Sequence, residues 1–159
     1  MRITVVCAGK LKEKYLSQGI AEFQKRLTPF CSFEIREIHE EKMPAEPSAA
    51  EKEQVLTREG ERLLRQVPQG SYLIVLDVFG RELSSEELSA RLDALTLQGK
   101  SSITFLIGGA FGLSEAVRAA ADCRLSFSRL TFTHQMVRLL LVEQIYRAFK
   151  ISRGEKYHW

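Results

Sequence analysis

Residues Tyr72–Val78 read YLIVLDV and form the most strand-like stretch of the sequence. Apolar side chains fill almost every position, which is typical of a strand that is buried on both faces of a sheet. The preceding segment, Ala50–Val67, has helical periodicity and ends before Pro68 and Gly70. A buried strand that closely follows a helix indicates an α/β fold built on a parallel sheet.

Strands and helices continue to alternate on both sides of this stretch. Further strands are predicted at Arg2–Ala8, Ser32–His39, Ile103–Ile107 and Cys123–Phe127. Further helices are predicted at Leu11–Leu27, from the capping box of Ser84 and Glu87 to Leu97, at Ser114–Ala121 and at His134–Ile151. The whole pattern predicts a single α/β domain over residues 1–159, with a mostly parallel sheet and helices on both faces.

The composition excludes several classes of protein. Hydrophobic residues make up 45% and charged residues 27% of the chain, which rules out a disordered chain or a collagen-like repeat. The three cysteines have neither C-x-x-C nor zinc-finger spacing, so we expect a reduced, cytoplasmic protein without a metal site. No apolar stretch approaches the roughly 18 residues of a membrane span, and nothing at the N-terminus resembles a targeting segment. We therefore expect neither secretion nor a membrane partner.

Basic residues are concentrated in the last quarter of the chain. The net charge of the sequence is +3, but residues 124–159 carry seven basic and two acidic side chains. Such a local positive field attracts polyanions, although a merely solvated cationic segment would have the same composition. At its end, Arg153 and Lys156 accompany the aromatic residues Tyr157, His158 and Trp159. This combination is typical of RNA recognition, and simple packing of the rings is the alternative.

Three segments follow the ends of predicted strands, at residues 77–80, 108–112 and 126–133. Ligands of open parallel sheets bind beyond the carboxyl ends of the strands, so we expect a site there. The glycines of Gly108–Gly112 would let the backbone approach a ligand closely. Their G-G-x-x-G spacing matches neither a dinucleotide fingerprint nor a P-loop, and tight turns are the alternative interpretation.

The last predicted helix carries a charge on its apolar face. A helical wheel places Arg138 beside Leu141 and Ile145, with His134 one turn earlier on the same side. A buried guanidinium must be paired or functional, so Arg138 is either a site residue or tied to a core carboxylate. His134 likewise acts in a site or only caps and packs. The apolar arc covers well over half of the helix, which predicts a homodimer interface.

The chain contains a series of short motifs that together are specific to one protein family. They are Gly9–Lys12, Leu73–Asp77 with Gly80, Ile107–Gly109 with Gly112–Leu113, Leu125–Ser128, Thr131–Phe132 with His134–Gln135 and Arg138, Glu143–Gln144 with Tyr146–Ala148, and Tyr157–His158. With these motifs the chain resembles the RlmH family of SPOUT-superfamily methyltransferases. The resemblance implies a C-terminal trefoil knot, a homodimer, and transfer of a methyl group from S-adenosylmethionine to N3 of a pseudouridine in large-subunit (23S) ribosomal RNA.

The resemblance also implies which residues form the site. The cofactor residues would be Leu76, Gly108, Phe127, Ser128, Arg129, Leu130, Thr131 and Phe132. In the same scheme, Arg138 and Arg153 would position a phosphate group of the RNA or stabilise the anion that develops on the base. His134, or Tyr157 with His158, would position the base and relay its proton. The partners would be ribosomal RNA, in the large subunit or the assembled ribosome, and a second copy of the chain.

Two other functions are compatible with the same residues. The basic tail would also suit a ribosome-associated RNA-binding protein without catalysis, which has no need for S-adenosylmethionine. The glycine loop would also suit an enzyme that binds a phosphorylated metabolite.

Overall fold

Five strands alternate with five helices in the computed structural model, which describes residues 1–157 of the chain. In chain order they are β1 (Arg2–Ala8), α1 (Lys14–Leu27), β2 (Ser32–Ile38), α2 (Ala49–Arg65), β3 (Tyr72–Glu82), α3 (Ser85–Leu97), β4 (Ser102–Ile107), α4 (Glu115–Ala120), β5 (Cys123–Ser126) and α5 (His134–Ser152). Every predicted strand and helix is present, and the predicted capping box of α3 is formed by Ser84 and Glu87.

The strands form one parallel sheet in the order β2-β1-β4-β3-β5. Side chains alternate between its two faces: Val5 and Phe105 pack under α1, α3 and α5, whereas Val6 and Leu106 pack under α2 and α4. Helices therefore cover both faces, as predicted from the sequence. In the part of the chain that the structure describes, no helix combines the length and apolar character needed to cross a membrane.

Helix α1 begins at Lys14 rather than at the predicted Leu11. Glu13, the residue before the helix, has an extended backbone, and the N–H of Lys12 donates a hydrogen bond of 3.1 Å to the side-chain oxygen of Gln135. The segment between β1 and α1 is therefore held against the start of α5 instead of continuing the helix.

Strand β3 continues to Glu82, four residues beyond the predicted end, because it pairs with β5 twice. Leu76 and Arg81 are both in register with Leu125, so residues 77–80 between them are displaced from the ladder. A Cβ added to Gly80 would lie 2.7 Å from the backbone carbonyl carbon of Arg124. The two strands can pack this closely only with a glycine at this position.

Helix α5 packs against α1, α3 and the sheet within one chain. Leu141, Val142 and Ile145 are completely buried there, and no residue of the helix before Ser152 is fully exposed. These neighbours account for the wide apolar arc that led us to predict a homodimer. Dimerisation therefore stays a prediction that needs support from other surfaces.

Candidate active site

A cavity of about 950 Å³ opens at the carboxyl ends of β3, β4 and β5, between the beginnings of α1 and α5. This is the edge of the sheet at which the sequence predicted a ligand site, and the volume suits a small organic molecule. Of the residues predicted to bind the cofactor, Leu76, Gly108, Phe127, Ser128, Leu130, Thr131 and Phe132 line the cavity. Arg129 lies in the same loop but does not line it.

The glycine loop, residues 108–113, forms one wall. A Cβ on Gly108 would lie 2.7 Å from Cδ2 of Leu113 and 2.9 Å from the carbonyl oxygen of Gly112. Gly112 has a φ of +96°, and its N–H donates to the carbonyl of Gly109 at 3.2 Å. The glycines therefore let the loop fold onto itself, which brings its backbone to the cavity wall.

The opposite wall is the loop between β5 and α5, which side-chain hydroxyls hold in shape. Ser126 donates to the carbonyl of Ser128, and the Ser128 hydroxyl accepts from the N–H of Leu130 at 3.0 Å. Thr133 caps α5 by accepting from the N–H of Met136 at 3.2 Å. The loop thereby exposes apolar side chains beside the cavity, with Leu130 73% exposed.

Asp77 lines the cavity and belongs to the expected segment 77–80, but we assigned it no role of its own from the sequence. Its buried carboxylate accepts hydrogen bonds from Nε of Arg118 at 3.0 Å and from Nη1 of Arg124 at 3.5 Å. Arg118 also donates to the carbonyl of Leu113 at 3.1 Å. One carboxylate thus joins β3, α4 and β5 around the cavity. An acidic residue at the end of the most apolar strand was the sequence signal that would have identified it.

His134 and Arg138 occupy different environments on α5. His134 lines the cavity, and its Nε2 lies 2.8 Å from Oε1 of Glu40. Arg138 is completely buried and does not line the cavity; it donates to Oε2 of Glu37 at 2.8 Å and to the carbonyl of Gly9 at 2.9 Å. The alternative in which Arg138 is tied to a carboxylate is therefore the arrangement observed.

Arg153 and Tyr157 lie at the opposite end of α5 from the cavity. The guanidinium carbon of Arg153 is 4.2 Å from the ring centroid of Phe30. The hydroxyl of Tyr157 donates to Glu143 at 3.1 Å, and burial, together with this carboxylate, raises the pKa of Tyr157. Because the helix rises about 1.5 Å per residue, His134 and Arg153 are roughly 28 Å apart. The structure does not bring these groups together within one chain, and His158 lies outside the described residues.

A second missed residue is the buried Glu59 of α2. Its carboxylate accepts the N–H of Gly109 at 3.1 Å and the N–H of Glu41 at 3.4 Å. Glu59 lies between Val55 and Leu63 at four-residue spacing, so it interrupts an apolar helix face as Arg138 does. The same helical-wheel argument, applied to α2, would have found it.

Among residues 1–157, no three His, Cys, Asp or Glu side chains are grouped as ligands of a metal ion.

Comparison with known families gives a match along nearly the whole chain. Residues 1–158 match a family described as predicted SPOUT methyltransferases. The ribosomal RNA large subunit methyltransferase H of Halothermothrix orenii is 52% identical over 158 residues, which is 99% of each chain. The protein with the same name from Listeria monocytogenes is 53% identical over the same length and coverage.

Solved structures show the same fold at low sequence identity. The tRNA (m1G37) methyltransferase of Aquifex aeolicus superimposes with a TM-score of 0.51 at 14% identity, over 92% of this chain and 69% of that one. A probable methylase family protein of Haemophilus influenzae superimposes with a TM-score of 0.50 at 13% identity, over 96% and 66% of the two chains.

Proposed function

The chain belongs to the SPOUT methyltransferase family, and from this membership we propose that it methylates N3 of a pseudouridine in large-subunit (23S) ribosomal RNA, with S-adenosylmethionine as the donor. The observation that carries the proposal is the 52% identity, over 99% of both chains, to a protein named for methylation of large-subunit ribosomal RNA. The proposal locates the protein in the cytoplasm, as a single domain with the family's C-terminal trefoil knot.

The residues around the cavity fit this donor. Apolar side chains such as Leu76 and Phe127 offer contact area for a purine ring, and the backbone of the glycine loop offers N–H and C=O groups. S-adenosylmethionine would supply an electrophilic methyl group on a sulfonium centre. The protein then has two tasks, which are to align the acceptor base and to help it lose its proton. Leu76, Gly108 and residues 127–132 would hold the donor.

His134 is the candidate for proton transfer that a single chain places at the cavity. Its Nε2 lies 2.8 Å from the carboxylate of Glu40, which can orient the ring for this role. In this proposal Arg138 is a positioning residue. It donates a hydrogen bond to the carbonyl of Gly9 at the end of β1 and thereby holds the helix that carries His134.

In this proposal the tail residues Arg153, Tyr157 and His158 act in trans. Arg153 and Tyr157 are separated from their own cavity by the length of α5, so only the tail of a second copy could approach the base. We therefore include a homodimer in the proposal, with Arg153, Tyr157 and His158 supplied by the partner. In that position their cationic and aromatic groups would contact phosphates and bases of the ribosomal RNA.

The decisive experiment uses ribosomes from cells that lack this protein. We expect the purified chain to transfer the labelled methyl group of S-adenosylmethionine to one pseudouridine of the large-subunit RNA, located by mass mapping. Gly108→Val is the matched inactive control, because its side chain would clash with Leu113 inside the glycine loop. Methylation of a different base or position would contradict the proposed specificity. RNA binding without measurable affinity for S-adenosylmethionine would instead establish the non-catalytic alternative.

A further inference from the structure

Helix α2 lies behind the glycine loop, on the side away from the cavity, and contacts both ends of the loop. Glu59 reaches the beginning of the loop at Gly109. The next residue, Gly60, packs against Ser114, which is the N-cap of α4 at the end of the loop. A Cβ on Gly60 would lie 2.4 Å from Oγ of Ser114, so only glycine allows this close approach. Two consecutive residues of α2 therefore fix the loop from outside.

Glu59 is a costly residue to bury, and its bonds explain why it is tolerated. The residue is 6% exposed, and burial raises the pKa of its carboxyl group despite the hydrogen bonds from Gly109 and Glu41. The two N–H donors come from different segments, one from the glycine loop and one from the connection between β2 and α2. A carboxylate can accept both bonds, because each of its oxygens is an acceptor and neither carries a proton.

The contact with Gly109 also fixes the shape of the loop sterically. A Cβ on Gly109 would lie 2.7 Å from Oε1 of Glu59. The backbone at Gly109 is therefore pressed against the carboxylate that accepts its N–H, and it has little freedom to move toward α2. On its other side the same loop lines the cavity.

We propose that Glu59 is a positioning residue for the methyl-donor site, which holds the glycine loop in its binding conformation by accepting the N–H of Gly109. The inference rests on the proposed function, since it assigns the cavity to S-adenosylmethionine. Glu59 does not touch the donor. It acts by keeping the binding-competent loop populated before the donor arrives. When Glu59 is lost, the apparent dissociation constant rises in inverse proportion to the fraction of molecules that remain in that conformation.

The test replaces Glu59 with glutamine, which keeps the size of the side chain but puts an NH2 group in place of one acceptor oxygen. Whichever way the amide turns, the N–H of Gly109 then faces either the NH2 group or a neutral oxygen, which is a weaker acceptor than a carboxylate. The matched control is Glu61→Gln on the same helix, where an exposed glutamate lies 4.0 Å from Arg65 and does not contact the loop. Both variants remove one carboxylate from α2, but only Glu59 is buried and bonded to the loop and to the N–H of Glu41.

Three measurements on the full chain distinguish positioning from general stability. Hydrogen exchange without the donor should become at least about tenfold faster at the Gly109 amide in Glu59→Gln and stay unchanged in Glu61→Gln. The dissociation constant and KM for S-adenosylmethionine should rise about tenfold or more, with kcat near the wild-type value because bound donor restores the loop. The unfolding temperature should stay within a few degrees of the wild-type value, because one weakened hydrogen bond costs about 1 kcal/mol in a domain of this size.

Each result supports or overturns the inference. Unchanged exchange at Gly109, or faster exchange with unchanged donor affinity, would overturn it. A uniform rise in exchange with a lower unfolding temperature would show that Glu59 is only structural. If Glu59→Gln does not fold, Glu59→Asp, which keeps the charge but shortens the reach, should give the same local exchange at Gly109. If the wild-type chain binds no S-adenosylmethionine, the proposed function fails, and exchange at Gly109 alone decides whether Glu59 positions the loop.

Discussion

Arg138 shows how a single buried charge can organise an active-site wall without entering it. Its guanidinium joins the end of β1, through the carbonyl of Gly9, to Glu37 of β2. The sequence predicted that Arg138 is buried, because it interrupts an apolar helix face. It could not identify Glu37, which lies 101 positions away along the chain and becomes a neighbour only when the sheet forms.

Replacing Arg138 with methionine should destabilise the fold by about 2 kcal/mol, because buried carbonyl groups lose their donor. The loss should be smaller than for a fully buried ion pair, since the Glu37 side chain is 38% exposed and can be hydrated. Arg65→Met, at an exposed pair with Glu61, should change stability by no more than about 0.5 kcal/mol. Urea unfolding of both variants measures the difference, and equal midpoints would show that Arg138 does not stabilise this region.

Among the secondary-structure elements, the paired strands β3 and β5 form one side of the cavity. The sequence predicted both strands from their apolar runs, but it ended β3 at Val78. Its continuation depends on Arg81 pairing with Leu125, a contact between residues far apart in sequence. Local patterns carry no information on such a register shift. The family resemblance assigned Leu76 and Phe127 to the site, but nothing in the sequence showed how Asp77 is held between the strands.

Gly80→Ala should separate these strands and weaken donor binding. Its Cβ would meet the backbone of Arg124 at 2.7 Å, and backbone atoms cannot turn aside as a side chain can. We expect a loss of roughly 2 kcal/mol or more in the free energy of unfolding, as in overpacked sites. Calorimetry should also show weaker binding of S-adenosylmethionine, because residues 77 and 78 line the cavity.

Gly99→Ala is the control for this substitution. Gly99 has open space around it but a φ of +79°, so alanine costs about 1 kcal/mol of backbone strain. It lies just before β4, at the end of the sheet away from the cavity, and donor binding should be unchanged. If Gly80→Ala behaved like Gly99→Ala in both measurements, the close contact with β5 would have no role in the site.

At the scale of the whole molecule, the cavity opens onto a surface suited to a partner. Large apolar side chains are exposed around it, namely Tyr15, Val78, Phe111, Leu130 and Phe132. Several such residues at one opening are typical of an interaction surface. This surface supports a homodimer better than the apolar arc of α5, which the chain covers itself.

Mixing two inactive variants tests whether a second copy completes the site. Gly108→Val disables the cavity, and Tyr157→Ala disables the tail, so each variant alone should show little methyl transfer. In a mixed dimer, the intact cavity of the Tyr157→Ala chain meets the intact tail of the Gly108→Val chain. Random mixing makes about half of the dimers mixed, each with one functional site of two, so about a quarter of the wild-type activity should return.

The control for this experiment is a mixture of Gly108→Val with Gly108→Ile, which should stay inactive because no intact cavity is present. Sedimentation must first show about twice the 18.1 kDa chain mass at micromolar concentration. If each tail served its own cavity, every chain in the mixed dimer would carry one defect, and no activity would return. Full activity of Tyr157→Ala alone would show instead that Tyr157 only packs at the end of α5, as it does against Tyr146 in a single chain.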